Sequence, residues 1–298
     1  MNESKRGIIM REGAINKESG TGVMESGSAF RHGAMWFLRL FLLCIMLASA
    51  FPSAAYAAKM NQCVWRKVNG KVYYYNKKGK KVKGLQKIGK KTYYFDSNGV
   101  QRIGWRYIGG SYYCFNETYG AGGAMKKNCT YSGVKLGKNG KAILTYHTEE
   151  KAEVMVRCAK IMDSITDAND DKEDRLWAAF QYAKNHFSPR NMHSFRDTYD
   201  WDLYYAEFML DHGYGDCICY AAIFGYLANA CGYKDVEVIT PGGEGHGWVR
   251  IDGYYYDPNW ALVIGTDKTY QQSPSVSGSG GRPRWASFND HVANISKS

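Results

Sequence analysis

Residues 215–221 read Gly-Asp-Cys-Ile-Cys-Tyr-Ala, and residues 246–258 read His-Gly-Trp-Val-Arg-Ile-Asp-Gly-Tyr-Tyr-Tyr-Asp-Pro. These two stretches decide how the second half of the chain folds. From Cys217 onward Ala221, Phe224, Leu227 and Ala228 recur at helical spacing, and Gly232 closes the run as a C-terminal cap. Val236 to Thr240 alternates like a strand. Residues 247–251 and 254–257 pair as a hairpin, with Asp252-Gly253 supplying the turn. A helix followed by antiparallel strands is α+β order.

That order also places chemistry. Cys217 falls in the first turn of its helix, where the backbone dipole favours negative charge. Such a position with a nearby His can lower a thiol from ~8.5 to ~3.5–7.5. His246 heads one strand and Asp257 ends its partner, so they are expected side by side, with the helix start packed over them. The result is a nucleophile, a base and a group that orients the base. Asp257 before Pro258 also suits a turn former. A zinc site from Cys217, Cys219 and His246 is not expected, because Cys-x-Cys departs from the usual ligand spacing.

The three motifs resemble the transglutaminase-like superfamily, whose patterns are a Gly-x-Cys-x-x-Tyr-Ala helix start, a His-x-Trp strand and a Tyr-x-Asp-Pro strand end. Here they are Gly215 to Ala221, His246-Gly-Trp248 and Tyr255-Tyr-Asp257-Pro258, in the family order, within about residues 148–262. The resemblance implies a papain-like core of helices packed on an antiparallel sheet. It makes Cys217 the nucleophile, His246 the general base and acid, and Asp257 the orienting carboxylate. The implied activity is that of a thiol protease or protein-glutamine acyltransferase working through a thioester, with no cofactor and no metal. One oxyanion donor is then the backbone N–H of Cys217. Crosslinking and hydrolysis both remain open. Cys219 departs from the pattern, which usually has a small residue there, and offers a second thiol as an oxidation partner. His212 and Trp260 are near the motifs and are candidates for shaping the cleft.

Upstream, Val154, Cys158, Ile161 and Ile165 mark one face of a helix beginning at Thr148. Asp170 with Glu173 reads as the cap of a second helix, with Leu176, Phe180, Ala183 and Phe187 on one face and Pro189 ending it. The acidic run from Asp167 to Asp174 does not fit a calcium loop, because Lys172 and Ala178 stand where Gly and Glu are needed. Residues 198–212 read as a short amphipathic helix. Residues 263–298 read as a tail, flexible between Ser273 and Gly281, where Trp285 and Phe288 can dock back.

The first half is a repeat. Trp65 to Gly79 recurs as Leu85 to Gly99 with a period of 20 residues, and a third copy opens at Trp105. Its continuation is irregular, and a fragment around Gly137 and Gly140 ends near Leu144. Aromatic runs with Asn-Gly and Lys-Gly turns make each unit a β-hairpin. One hairpin cannot bury its own aromatic face, so copies stack in a solenoid-like module. Residues 60–144 resemble the cell-wall-binding repeats, of choline- or glucan-binding type, of Gram-positive surface proteins. In choline-binding members, aromatic rings of adjacent repeats cage a quaternary ammonium ion. The resemblance implies Trp65, Tyr74, Tyr94, Trp105 and Tyr113 as wall-ligand residues. Leu85 stands where the family usually has Trp.

Charge divides the chain in the same way. Residues 59–144 hold 19 basic and 2 acidic side chains, and residues 145–298 hold 14 basic and 22 acidic. A strongly basic module attracts anionic wall polymers. Residues 40–51, LFLLCIMLASAF, match a signal-peptide core, and Ala55-Tyr56-Ala57 is a cleavage site that would leave Ala58 as the mature start. Residues 1–57 are therefore expected to be a leader with a long n-region, unless Met35 is the true start. Export permits disulfides among the seven cysteines that remain, although Cys219 and Cys231 are about 18 Å apart along one helix, beyond disulfide reach.

The expectation is a secreted protein of a Gram-positive cell wall or surface, not transmembrane after cleavage and with no nucleic-acid partner. Its partners are a wall polymer (teichoic acid, choline-bearing or glucan-type) and a protein or peptide amide substrate. The rival is a non-catalytic cell-surface adhesin with a degenerate second domain.

Overall fold

The computed structural model describes residues 63–192, 195–241, 246–273 and 291–296. The leader, its cleavage site, the Ser/Gly stretch beyond 273, Trp285 and Phe288 lie outside the described residues. The described chain is of mixed α+β type, and it forms one compact unit. Among the described residues no helix is long and apolar enough to cross a membrane.

The repeats form hairpins β1–β2 (Val64–Val68 and Lys71–Tyr75), β3–β4 (Gly84–Ile88 and Lys91–Phe95) and β6–β7 (Gly104–Ile108 and Ser111–Phe115), with β5 (Gln101–Arg102) added to β4. The period is visible in the register. Trp65 faces Tyr74, Leu85 faces Tyr94 and Trp105 faces Cys114. Asn69 and Gly70 both take positive φ, +48° and +68°, as a two-residue hairpin turn requires. The irregular fragment becomes a small sheet of β8 (Cys129–Tyr131), β9 (Val134–Leu136) and β10 (Ala142–Ile143).

Two helices follow. Helix α1 (Tyr146–Ile165) starts before Thr148, because Thr145 and Thr148 cap each other reciprocally. In α2 (Lys172–His186) the cap is Asp171, paired with Asp174, one residue beyond the expected Asp170. Then come β11 (Ser188–Pro189), α3 (Trp201–His212), β12 (Tyr214–Gly215) and α4 (Cys217–Ala230). Helix α4 is buried almost all round, against α1, α2 and α3 on one side and the sheet on the other. That explains why its sequence is apolar on every face.

The sheet is antiparallel, in the order β15 (Tyr254–Tyr256), β14 (Trp248–Ile251), β13 (Val236–Thr240), β16 (His291–Asn294). Strand β16 corrects the expectation of a flexible tail running to the end of the chain. It pairs with β13, its neighbour Ile295 is fully buried, and the Lys151 ammonium donates to the Ile295 carbonyl at 3.0 Å. A further helix, α5 (Pro258–Ile264), begins with Pro at its first position and Asp257 as its cap.

The boundary between repeats and second domain is a packed interface. Trp105, Cys114, Val134 and Leu136 belong to the same buried core as the helices. The Arg106 guanidinium, almost fully buried, meets Asp163 of α1 at 2.8 Å, and Arg102 bridges Asp96 and Asp163. Only the first two hairpins keep a separate small core, of Tyr93, Phe95 and Ala124 with Trp65 and Tyr74 against it.

Ile295 reaches across to α4, where a Cβ on Gly225 would lie 2.6 Å from its Cδ1. Truncation by Ile295→Ala empties that contact and is expected to cost about 2–4 kcal/mol in urea unfolding. A loss under ~0.5 kcal/mol would show that the C-terminal strand is not integral to the fold.

Candidate active site

The site begins at the N-terminus of α4. Asp216 caps the helix, its carboxylate accepting the N–H groups of Ile218 at 3.0 Å and Cys219 at 3.1 Å. Cys217, the first helical residue, is left half-buried at the surface of a cleft. The turn before it is fixed by parallel pairing of Ser188–Pro189 with Tyr214–Gly215. The Arg190 N–H then donates to the Gly215 carbonyl at 2.8 Å, which lays residues 190–192 along the cleft. Cys219 fills the space beneath. A Cβ on Gly215 would lie 2.6 Å from its sulfur, and burial pushes its thiol far above the ordinary value. A side chain with no exposed surface is poorly placed as the expected oxidation partner. No disulfide joins the seven described cysteines.

His246 and Asp257 come from facing ends of β14 and β15. His246 Nε2 lies 2.6 Å from Asp257 Oδ2. Asp257 is fully buried and held at several points. Its Oδ1 accepts the Trp260 N–H at 2.8 Å, its N–H donates to the Thr269 carbonyl at 3.0 Å, and its carbonyl accepts the Thr269 hydroxyl at 2.7 Å. It therefore caps α5 and holds the imidazole at once. Burial disfavours the charged imidazole of His246. Hydrogen bonds to Asp257 and Cys217, and their charges, outweigh that and push the ring up to about 10. With Nε2 on the carboxylate, Nδ1 is the nitrogen left for the sulfur.

Gly247 makes the approach possible. A Cβ there would lie 2.8 Å from the Ile218 Cα and 3.1 Å from the Cys217 carbonyl oxygen. The strand head thus touches the helix start, backbone against backbone. The cleft above holds about 650 Å³ and is walled by Arg190, Met192, Phe195, Asn259, Trp260 and Val263. Of the two flanking residues singled out in the sequence, Trp260 lines the cleft, with its ring 6.3 Å from His246. His212 does not; it stacks on Phe208 at 4.1 Å and its Nδ1 bonds the Phe208 carbonyl. The wall of residues 190–192 carries no sequence signal, because it reaches the cleft only through the β11–β12 pairing.

The expected wall-ligand residues separate into two groups. Trp65 and Tyr74 are half-exposed and pack 5.0 Å apart, with Tyr93 5.0 Å from the same indole. Tyr94 is also half-exposed and stacks on Phe115 at 6.1 Å. Trp105 and Tyr113 are buried, 2% and 7% exposed, and Trp105 lies in the main core, so neither presents a face to a ligand. This corrects the expectation for both: Trp105 packs into the core it shares with α1, and Tyr113 is buried as well.

Residues 65–81 match the cell wall binding repeat model, and residues 82–128 match the choline-binding repeat model. Among solved structures, the choline binding domain of Spr1274 from Streptococcus pneumoniae is 27% identical over 28% of this chain and 96% of its own, with a TM-score of 0.25. Choline binding protein F from Streptococcus pneumoniae is 28% identical over 28% of this chain, with a TM-score of 0.20, and the match spans 34% of its own length. The modular Cpl-1 endolysin is 30% identical over 23% of this chain and 19% of its own, with a TM-score of 0.20. No curated protein matches the chain.

Because the His246 ring is raised from 6.5 to about 10, its pairing stabilises the folded chain fully below about 6.5, and that contribution is lost as pH rises through about 10. In an NMR titration the wild-type imidazole is expected to hold its proton until near pH 10, and Asp257→Asn to move the midpoint towards the ordinary value. A wild-type midpoint at the ordinary value would contradict the pairing. Gly247→Ala forces the backbones apart, lowering the same midpoint and costing about 1–3 kcal/mol of stability. An unchanged midpoint in a folded Gly247→Ala chain would show that the contact does not position the ring.

Proposed function

We propose that the protein binds a cell-wall polymer through its repeats and acts on amide bonds of wall peptides or surface proteins through Cys217. The binding half rests on the repeat models that match residues 65–128. The polymer we infer is an anionic, choline-bearing one of teichoic-acid type. The excess of lysine on the repeats suits its phosphates, and the Trp65–Tyr74–Tyr93 cluster suits a quaternary ammonium head group. Two other rings of the repeats are already covered by the chain's own cations. The Lys81 ammonium sits 3.6 Å from the Tyr73 centroid, and the Arg66 guanidinium 5.3 Å from that of Tyr75.

The catalytic half is carried by one observation: a buried Asp257 holds His246 against Cys217 at the base of an open cleft. In the reaction we infer, the Cys217 sulfur attacks an amide carbonyl. The Cys217 backbone N–H, at the helix start, donates to the developing oxyanion. The carbon–nitrogen bond breaks as His246 passes its proton to the leaving amine, and a thioester remains. An amine or water then attacks the thioester, gives its proton to His246 and releases the sulfur. An amine acceptor gives crosslinking; water gives deamidation or peptide cleavage. The second reading, a binding protein whose second domain is not catalytic, is favoured by the repeat matches themselves.

The two separate in one experiment. Chain beginning at Ala58 is incubated with a labelled primary amine, candidate proteins and purified wall, and amine incorporation, ammonia and new termini are recorded. Wild type is expected to give at least one of these products. Cys217→Ala is expected to lose it by at least about a thousandfold, while both chains still sediment with wall. Wild type that binds wall and yields no product, or a Cys217→Ala chain of equal activity, would leave the binding reading.

A further inference from the structure

A second cleft, of about 400 Å³, opens between the start of α2 and the β14–β15 turn. It shares no lining residue with the cleft over Cys217. Its walls are rings. Tyr270 stands nearly perpendicular to Trp177 (4.9 Å, 87°) and to Tyr256 (5.1 Å, 80°). Tyr233 and Tyr254 complete the box. Trp177 and Tyr254 are exposed, 40% and 44%, although exposed rings of that size are usually covered in a soluble domain. Tyr233 and Tyr256 are buried beneath them.

The charged residues that line this box are acidic. Asp171 and Asp174 are tied up in the cap of α2, which leaves Glu173 and Asp252 as the carboxylates at its edge. Burial pushes the hydroxyls of Tyr233, Tyr256 and Tyr270 up, and the charges of Glu173 and Asp252 add to that at Tyr233, so these three stay neutral phenols. The Lys172 Nζ, 3.6 Å from the Tyr233 centroid, already covers that ring, which leaves the exposed rings of Trp177 and Tyr254 for a ligand. Perpendicular aromatic walls with carboxylates beside them attract an organic cation through ring quadrupole and charge together.

We infer that this box is a binding site for an alkylammonium group, separate from the repeats and from Cys217. The ammonium can come from a quaternary choline-type head group or from a primary lysine-type amine. The site stands whether or not the second domain is catalytic.

The test uses the chain from Ala58 with isotope-labelled tryptophan indoles, the Trp177 signal being assigned through Trp177→Phe. Choline, butylammonium and the uncharged tert-butyl isostere of choline are titrated separately. The Trp177 signal is expected to move saturably with at least one cation and not with the isostere. Glu173→Gln is expected to weaken binding roughly threefold to fivefold, the scale of one close screened charge. Tighter binding of choline identifies a quaternary head group as the source; tighter binding of butylammonium identifies a lysine-type amine. The Trp65 indole reports repeat binding in the same spectra and so keeps the two sites apart. No saturable movement of Trp177 with either cation, or equal movement with the uncharged isostere, would overturn the inference.

Discussion

One constraint lies under the rest of the site: the bare Cα of Gly247 is set against the first turn of α4. Everything in the cleft depends on it. A helix start and a strand head must meet without a side chain between them before an imidazole can reach a sulfur. Gly215 and Gly225 serve the same helix. One admits Cys219 beneath the loop, and the other admits Ile295 and β13 against the helix flank. A helix gripped this tightly on several sides carries its N-terminal residue on a rigid base, as a reactive group needs if its geometry is to be fixed before substrate arrives.

Helices α1 and α2 tie the two halves of the chain together. Arg175, buried on α2, donates to the carbonyl of Glu117 in the repeat half and of Ala230 at the end of α4. Arg106 and Asp163 make a second tie, nearly out of reach of water. Breaking a buried pair by removing one partner costs far more than an exposed pair is worth. The third hairpin is thus part of the second domain's core; the first two hairpins keep a small core of their own with their aromatic faces partly open, and the Gly70 carbonyl at the first turn accepts the Ala168 N–H. The repeats hold the second domain in one orientation relative to whatever they bind.

Much of this was legible in the sequence, because the relevant signals are local. The strand at Val236–Thr240, the hairpin across Asp252-Gly253 and the helix from Cys217 follow from period and turn chemistry, and hairpin geometry alone brings His246 beside Asp257. The failures have physical causes. Trp105 looks like Trp65 in the sequence, yet Trp105 is buried in the core shared with α1 and Trp65 is left half-exposed on the small core of the first hairpins, a difference set by tertiary packing rather than by the repeat. The cap of α2 moved from Asp170 to Asp171 because several acidic residues there can cap, and only Asp171 has Asp174 to answer it. Helix α5 was hidden because Asp257-Pro258 reads equally as a strand end and as a capped start. Strand β16 lies beyond a long Ser/Gly-rich stretch and is short enough to carry no period. The aromatic box on α2 draws on four separate segments, none of which marks itself.

The central claim is that His246 activates Cys217. Its most direct measurement is the rate at which iodoacetamide alkylates each cysteine of the folded chain at neutral pH, followed by mass spectrometry. Cys63 and Cys129 are exposed and serve as internal references. Cys217, although only half-exposed, is predicted to react fastest, and His246→Ala is predicted to remove that advantage. Labelling of Cys217 no faster than Cys63 and Cys129, or a rate untouched by loss of the imidazole, would contradict the claim.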